Sequence, residues 1–189
     1  MGKRGQVLSE KRYFVGGSDA RIIMGDDEVA LVRLWREKRG EVEPEDLSGN
    51  LIVQLGSVTE DLNRRWYELN SGQVIIDVQR RVRHPAVRWM AATLDGRVEP
   101  TGAVFEAKFM LPWSFSEEAA AEKYMAQLQH NMWVVASRAA VLSVITGGGK
   151  WVEIIQRRRS PQRCRTEANF AATTITCIKC APLPSWWFF

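Results

Sequence analysis

Two histidines, His84 and His130, and three cysteines are the only imidazole and thiol groups in 189 residues. The histidines are far apart in the chain and lack ligand partners at zinc spacing, so neither is assigned to a metal. The cysteines (Cys164, Cys177, Cys180) all lie toward the C-terminus. Cys177-Ile178-Lys179-Cys180 has the spacing of half a zinc knuckle or a redox pair, but only Cys164 is available as a third thiolate. An incidental reduced pair is therefore expected rather than a complete structural zinc site. Also missing are an N-terminal apolar stretch of the signal-peptide kind and any run long enough to span a bilayer, which points to an intracellular protein. Neither sign of charge dominates. The 26 Lys and Arg against 22 Asp and Glu leave a net +4, which permits a polyanionic partner without requiring one. With 46% hydrophobic and 25% charged residues, the chain has the makeup of one globular domain with a proper core.

What the chain does have is a segment organised around carboxylates. Leu94-Asp95-Gly96-Arg97-Val98 and Val104-Phe105-Glu106-Ala107-Lys108 are two short apolar runs joined by the turn-rich Glu99-Pro100-Thr101-Gly102. In a strand, side chains alternate faces, so Glu106 and Lys108 share one side and Ala107 takes the other. If the two runs pair, Asp95 approaches Glu106. Two carboxylates and a lysine at one sheet edge suit a divalent-metal hydrolytic site. Taken singly, each residue has a plainer reading. Asp95 before Gly96 can be a turn residue, Glu106 and Lys108 a surface pair, and Gln127 an ordinary polar helix residue.

The rest of the chain reads as helices and strands around that segment. Met1 to Lys11 is a polar, basic leader. Gly16-Gly17 precedes a short helix capped by Ser18 and ending at Ile23. Asp26 or Asp27 caps a second helix over 29–38, with Leu31, Leu34 and Trp35 on one stripe. Leu51, Leu55, Val58, Leu62, Trp66 and Leu69 recur at intervals of three and four, predicting a long helix with that stripe inward, closed by Ser71-Gly72. Glu60 lies off the stripe and, by pattern alone, is as readily a solvated glutamate. A strand is expected over 74–82, with Val78, Arg80 and Val82 on one face, and a second over 89–94. With the run ending at Lys108 these make an antiparallel meander. Ser116 caps a long helix from Glu117 to about Ala136. One of its faces is apolar (Met125, Leu128, Met132, Val135); the other, unusually, aligns Ala120, Tyr124, Gln127 and Asn131. Two strands, 141–146 and 151–156, flank Gly147-Gly148-Gly149. The order predicts an α/β (α+β) domain with a central mixed sheet flanked by helices.

Several of these motifs together resemble a known family. Gly16-Gly17-Ser18-Asp19-Ala20, Leu94-Asp95-Gly96, Glu106-Ala107-Lys108 and Tyr124-Met125-Ala126-Gln127-Leu128-Gln129-His130-Asn131-Met132-Trp133-Val134 resemble, in that order, the YqaJ-like viral recombinases. That family includes the alkaline exonuclease of phage lambda and belongs to the PD-(D/E)XK nucleases. A lone Glu-x-Lys is common by chance; the ordered set, above all the glutamine-bearing helix, carries the resemblance from about Arg12 to Ile155. It implies a restriction-endonuclease-like core and Mg²⁺-dependent hydrolysis of DNA, with Mn²⁺ able to substitute, as a 5′–3′ exonuclease on linear duplex ends. Asp95 and Glu106 resemble the metal-holding carboxylates, with Glu60 as a further acidic ligand and the Ala107 carbonyl as an extra one. Lys108 resembles the lysine that orients or activates the attacking water, a role for which a lowered pKa is expected. Gln127 matches the glutamine at the edge of the site. Ser18, with Arg12, resembles the pair near the 5′-phosphate of the substrate end. Arg80, Arg81, Arg83 and Arg97 are candidates for salt-sensitive contacts to the DNA backbone. The resemblance also implies a homo-oligomer, a ring-shaped trimer, with a single-strand annealing protein as partner, in the cytoplasm of a bacterial host and encoded by a phage or prophage.

The resemblance gives a nuclease domain over 12–156, after a flexible leader over 1–11. From Arg157 onward no helix or strand period persists. Arg157-Arg158-Arg159 opens a basic stretch, and the chain closes on Trp186-Trp187-Phe188-Phe189. This break at 157–189 is read as an atypical tail, disordered or frame-shifted as in a decaying prophage gene. Two other readings stay open: a catalytically impaired DNA-binding or assembly remnant, and a restriction-like endonuclease.

Overall fold

The computed structural model describes residues 14–158, so Arg12, the leader, the three cysteines and the aromatic C-terminus lie outside the described residues. Helix α1 spans Gly17–Ile23 and starts earlier than its sequence suggests. Gly16 is its N-cap, and the Gly16 N–H donates to the Asp19 carboxylate at 2.8 Å. Ser18, expected as the cap, sits inside the first turn with its side chain exposed. The carboxylate three residues past the cap satisfies the turn, so the serine hydroxyl is not needed there. Asp27 caps α2 (Glu28–Lys38), accepting the Ala30 N–H at 3.0 Å. From the last turn of α2, Lys38 donates to Asp19 at 2.6 Å and to the Phe14 carbonyl at 2.7 Å, tying the two helices together.

Helix α3 (Leu51–Ser71) is capped by Asn50 and ends at Gly72, whose φ of 68° favours glycine. It is rotated the opposite way from its apolar pattern. Leu51, Val58, Leu62, Trp66 and Leu69 face outward, from 43% exposed at Trp66 to 76% at Leu69, while Asn63 and Tyr67 are buried at 1% each. The reason lies in the sheet beneath. There Asn63 donates to the carbonyls of Ser143 (2.9 Å) and Lys108 (3.2 Å) and accepts from the Ser143 hydroxyl at 2.6 Å. Tyr67 packs on Phe105 with ring centroids 5.1 Å apart and donates its hydroxyl to Gln73.

The strand expected over 74–82 is two strands. β1 (Val74–Ile76) and β2 (Arg81–Arg83) are separated by a turn in which Asp77 and Gln79 both take φ of 55°. Arg80 lies in that turn and donates to Asp77 at 2.8 Å, so Val78, Arg80 and Val82 do not share a strand face. β2 pairs with β3 (Ala91–Thr93) in a separate two-stranded ribbon, which removes β3 from the expected meander. β4 (Gly96–Glu99), β5 (Ala103–Met110), α4 (Glu117–Val134, capped by Ser116), β6 (Ala139–Thr146) and β7 (Trp151–Arg157) follow. The main sheet runs β1-β4-β5-β6-β7, with β5 and β6 parallel across the α4 crossover and the other pairs antiparallel. It is the mixed sheet flanked by helices that the element order predicts.

β5 lies at the centre and divides the core by alternation. Val104 and Met110 face α4, packing with Leu94, Leu128, Met132, Leu142 and Val144. Phe105 and Ala107 face α3, with Tyr67, Ile75, Val98 and Val141. A Cβ at Gly96 would collide with the Ile75 side chain, so the Asp95-Gly96 pair marks a close approach of β1 to β4 rather than a hairpin turn.

Candidate active site

β4 pairs with β5 only from Gly96 (opposite Phe105) onward, and beyond that point β5 continues without it, leaving a notch in the sheet. Asp95 stands in the bend at the head of β4 and fills the notch, accepting the Ala107 N–H at 2.9 Å. A strand residue directs its N–H and its C=O to the same side, so the Ala107 carbonyl faces the notch too. On the α4 face of β5, Glu106 is 1% exposed and Lys108 donates to its Oε1 at 2.6 Å. Two residues of α4 complete the carboxylate's surroundings: Gln127 donates to Oε1, and Asn131 donates to Oε2 at 3.1 Å. Tyr124 lies one turn before, its ring 5.4 Å from the Lys108 ammonium. Asp95, Glu106, Lys108 and Gln127 are thus brought together at one point. Glu60 reaches the same field from α3, where Gln79 donates to it, and stands further out than the other two carboxylates.

Burial is the first cause of the site's altered proton affinities. It pushes Glu106 up to about 7, with Lys108 opposing the rise and Asp95 adding to it. Asp95 is likewise raised by burial, against the pull of Lys108 and the Ala107 N–H. Glu60 is raised by partial burial and then by Asp95. Lys108 departs from expectation. Burial alone would lower it, but the Glu106 and Asp95 charges outweigh burial and raise it, so the side chain is an ammonium at neutral pH. The lowered pKa required of a proton-accepting lysine is not found.

Among the described residues, no three of His, Cys, Asp and Glu form a ready-made metal cage. The donor chemistry nevertheless fits a hard divalent cation. Asp95, Glu106 and the Ala107 carbonyl are all oxygen donors at one notch, and three carboxylates around a single ammonium leave negative charge in excess.

The candidate DNA-contacting residues do not cluster as one. Ser18 and Arg81 line a cavity of about 230 Å³ beside the site, together with Gly17, Lys38, Gln127 and Asn131. Arg81 and Arg83 both lie over the Phe14 ring. Arg80 is held by Asp77, and Arg97 donates to the Gly102 carbonyl at the far end of β4. His130 is buried, its Nε2 2.9 Å from the Ala91 carbonyl; burial pushes its pKa down, and it joins α4 to β3. Two residues of the site escaped the sequence reading as functional groups. Asn131 carried a signal, being one turn after Gln127 on the polar face of α4. Asn63 carried none, since nothing in its neighbourhood marks it as buried.

Comparison with known proteins places the chain. The profile of the YqaJ-like viral recombinase domain matches residues 7–147. Uncharacterized protein YqaJ of Bacillus subtilis (strain 168) is 32% identical over 155 residues, covering 79% of this chain and 48% of that protein. The chain therefore spans about half the length of that curated relative. Among solved structures, the alkaline exonuclease LHK-Exo from Laribacter hongkongensis aligns with a TM-score of 0.66 at 16% identity, covering 93% of this chain and 94% of that one. Its complex with dAMP aligns at 0.67. A phage-related exonuclease from Haemophilus somnus 129PT gives 0.65 at 14% identity, over 91% and 96% of the two chains. At such identities the structural likeness is one of fold. The match along the sequence goes further, and by it the chain belongs to the YqaJ-like viral recombinase domain family.

Proposed function

We propose that the protein is a metal-dependent deoxyribonuclease that degrades linear duplex DNA from its ends, 5′ to 3′, in phage-type recombination. The observation that carries this reading is the joined set of Asp95, Glu106, Lys108 and Gln127 at the notch between β4 and β5. Asp95, Glu106 and the Ala107 carbonyl would hold Mg²⁺ or Mn²⁺, with Glu60 in the outer shell. When bound, the ion supplies charge neutralisation on the phosphate and lowers the pKa of a water molecule. Lys108, held as an ammonium, places a fixed positive charge where the phosphate's negative charge grows and orients the water by hydrogen bonding. Gln127 keeps Glu106 Oε1 in place.

Ser18 and Arg81, in the adjoining cavity, would receive a terminal phosphate. Removing the arginine in Arg81→Ala is expected to raise KM about tenfold for 5′-phosphorylated duplex, as loss of one charge-assisted contact implies. A 5′-hydroxyl end should show less than half that change, and equal effects on both ends would remove the phosphate role. A homo-oligomer, a trimer as the family resemblance implies, working with a single-strand annealing protein in the bacterial cytoplasm, belongs to the same proposal. Among the described residues, no helix is long and apolar enough to cross a membrane.

The test is direct. Full-length protein is incubated with Mg²⁺ and linear duplex DNA labelled at either end, beside closed circular DNA and a Glu106→Ala control. Mg²⁺-dependent release from 5′ ends, lost at least about 10³-fold in the control, is the expected result. Cutting of the circle would replace the reading with an endonuclease. Salt-sensitive binding without release at any metal concentration would replace it with a DNA-binding remnant.

A further inference from the structure

We propose that Asn131 is a positioning residue that fixes the second oxygen of Glu106, so that the carboxylate presents one defined orientation to a metal ion. The inference rests on the nuclease reading. Glu106 Oε1 is held by Lys108 and Gln127, and Oε2 accepts from Asn131 Nδ2 at 3.1 Å. Gln127 and Asn131 are one helical turn apart on α4, so a single rigid element grips both oxygens of a carboxylate from which bulk water is excluded.

The other end of the amide shows what Asn131 is there for. Its Oδ1 is buried and has no hydrogen-bond partner, which disfavours the folded state. Flipping the amide would not help, because Oδ1 would then face a carboxylate oxygen, acceptor against acceptor. An apolar side chain of similar size would remove the unpaired Oδ1 but would leave Glu106 Oε2 without its donor. What the amide gives in return is the bond to Glu106. The space for it comes from Gly17, where an added Cβ would stand 2.5 Å from Asn131 Oδ1 and 3.0 Å from Gln127 Cγ. Gly17, the first residue of α1, thus lets the α4 residues of the site lie against α1.

The experiment uses full-length Asn131→Leu, with Asn131→Ala in reserve should the leucine variant fail to fold. Three quantities are read: Mn²⁺ affinity by electron paramagnetic resonance titration, kcat and KM on linear duplex, and the melting temperature without metal. Mn²⁺ affinity and kcat are each expected to fall about 10- to 100-fold, as for loss of a residue that orients a metal ligand. KM for DNA should stay within about twofold, and Tm should not fall by more than a few degrees. A folded variant with wild-type Mn²⁺ affinity and wild-type kcat overturns the positioning role and leaves the nuclease reading intact. So does a large drop in Tm with metal affinity unchanged, since Asn131 would then serve the fold alone. Wild-type protein that neither binds Mn²⁺ nor releases nucleotides overturns both.

Discussion

Glu106→Gln protein is expected to melt higher than wild type at pH 8 without metal, and its DNA hydrolysis with Mg²⁺ is expected to fall by about 10³-fold or more. Both effects have one source, a carboxyl group 1% exposed in the core of the sheet. In the unfolded chain it titrates near its ordinary value of 4.5, and in the folded chain burial moves it to about 7. Between those two values the folded protein keeps a proton that the unfolded chain has released. Stability therefore falls as pH rises through this window, and above it the loss from this group is about 3 kcal/mol. Glutamine has no proton to lose, and Asp95 remains to hold the Lys108 ammonium. The two stability curves should meet near pH 4 and separate toward pH 8, by roughly 6–12 °C in melting temperature for a chain of this size. Calorimetric melts in EDTA at several pH values between 4.5 and 8 test this. Curves that run parallel, or a variant that melts lower at pH 8, would show that Glu106 is not a buried acid held against its charge. Millimolar Mg²⁺ at pH 8 should raise the wild-type melting temperature and leave the variant where it was.

The site was legible because its chemistry is local in sequence. Glu106 and Lys108 are two apart on one strand, so alternation alone puts them on one face, and Asp95 needed only the pairing of two adjacent runs to reach Ala107. Gln127 and Asn131 could be aligned because four residues make one helical turn. The orientation of α3 failed because it depended on a partner elsewhere in the chain. The apolar stripe of α3 promised an inward face, yet the underlying strands offer carbonyls and the Ser143 hydroxyl, and the helix turned Asn63 toward them. Nothing in a 21-residue amphipathic pattern states that the surface beneath it, apolar around Tyr67, offers polar partners at Asn63. The break between β1 and β2 was hidden for a related reason. Asp77 and Gln79 adopt positive φ without a glycine to announce it, in a turn held by the Arg80–Asp77 bond. The sign of the Lys108 shift was missed because two opposing effects compete there, and only the geometry shows that the carboxylates outweigh burial.

Asn63→Leu is expected to destabilise the protein by about 3 kcal/mol, although it replaces a polar side chain by an apolar one in a buried position. Ordinarily such a change in a core is tolerated or favourable. Here the asparagine joins α3 to the carbonyls of Lys108 and Ser143 and accepts from the Ser143 hydroxyl, which in turn accepts the Trp151 indole N–H at 2.9 Å. Leucine would leave that hydroxyl without an acceptor in a place water does not reach, and the network would unravel as far as β7. Denaturant unfolding should show a lower midpoint with an unchanged m-value, since the surface exposed on unfolding is the same. Pairing the substitution with Ser143→Ala identifies the cause. The double variant should be less destabilised than the sum of the singles by about 1 kcal/mol or more, because the stranded hydroxyl is gone. Strict additivity would mean that Asn63 acts by shape and not through this bond. Activity should fall with stability, because Asn63 lies one turn from Glu60 and donates to the backbone of Lys108. The outward apolar face of α3 is then the consequence of a polar contact that positions the site from behind, which links the least expected feature of the fold to the chemistry proposed on its other side.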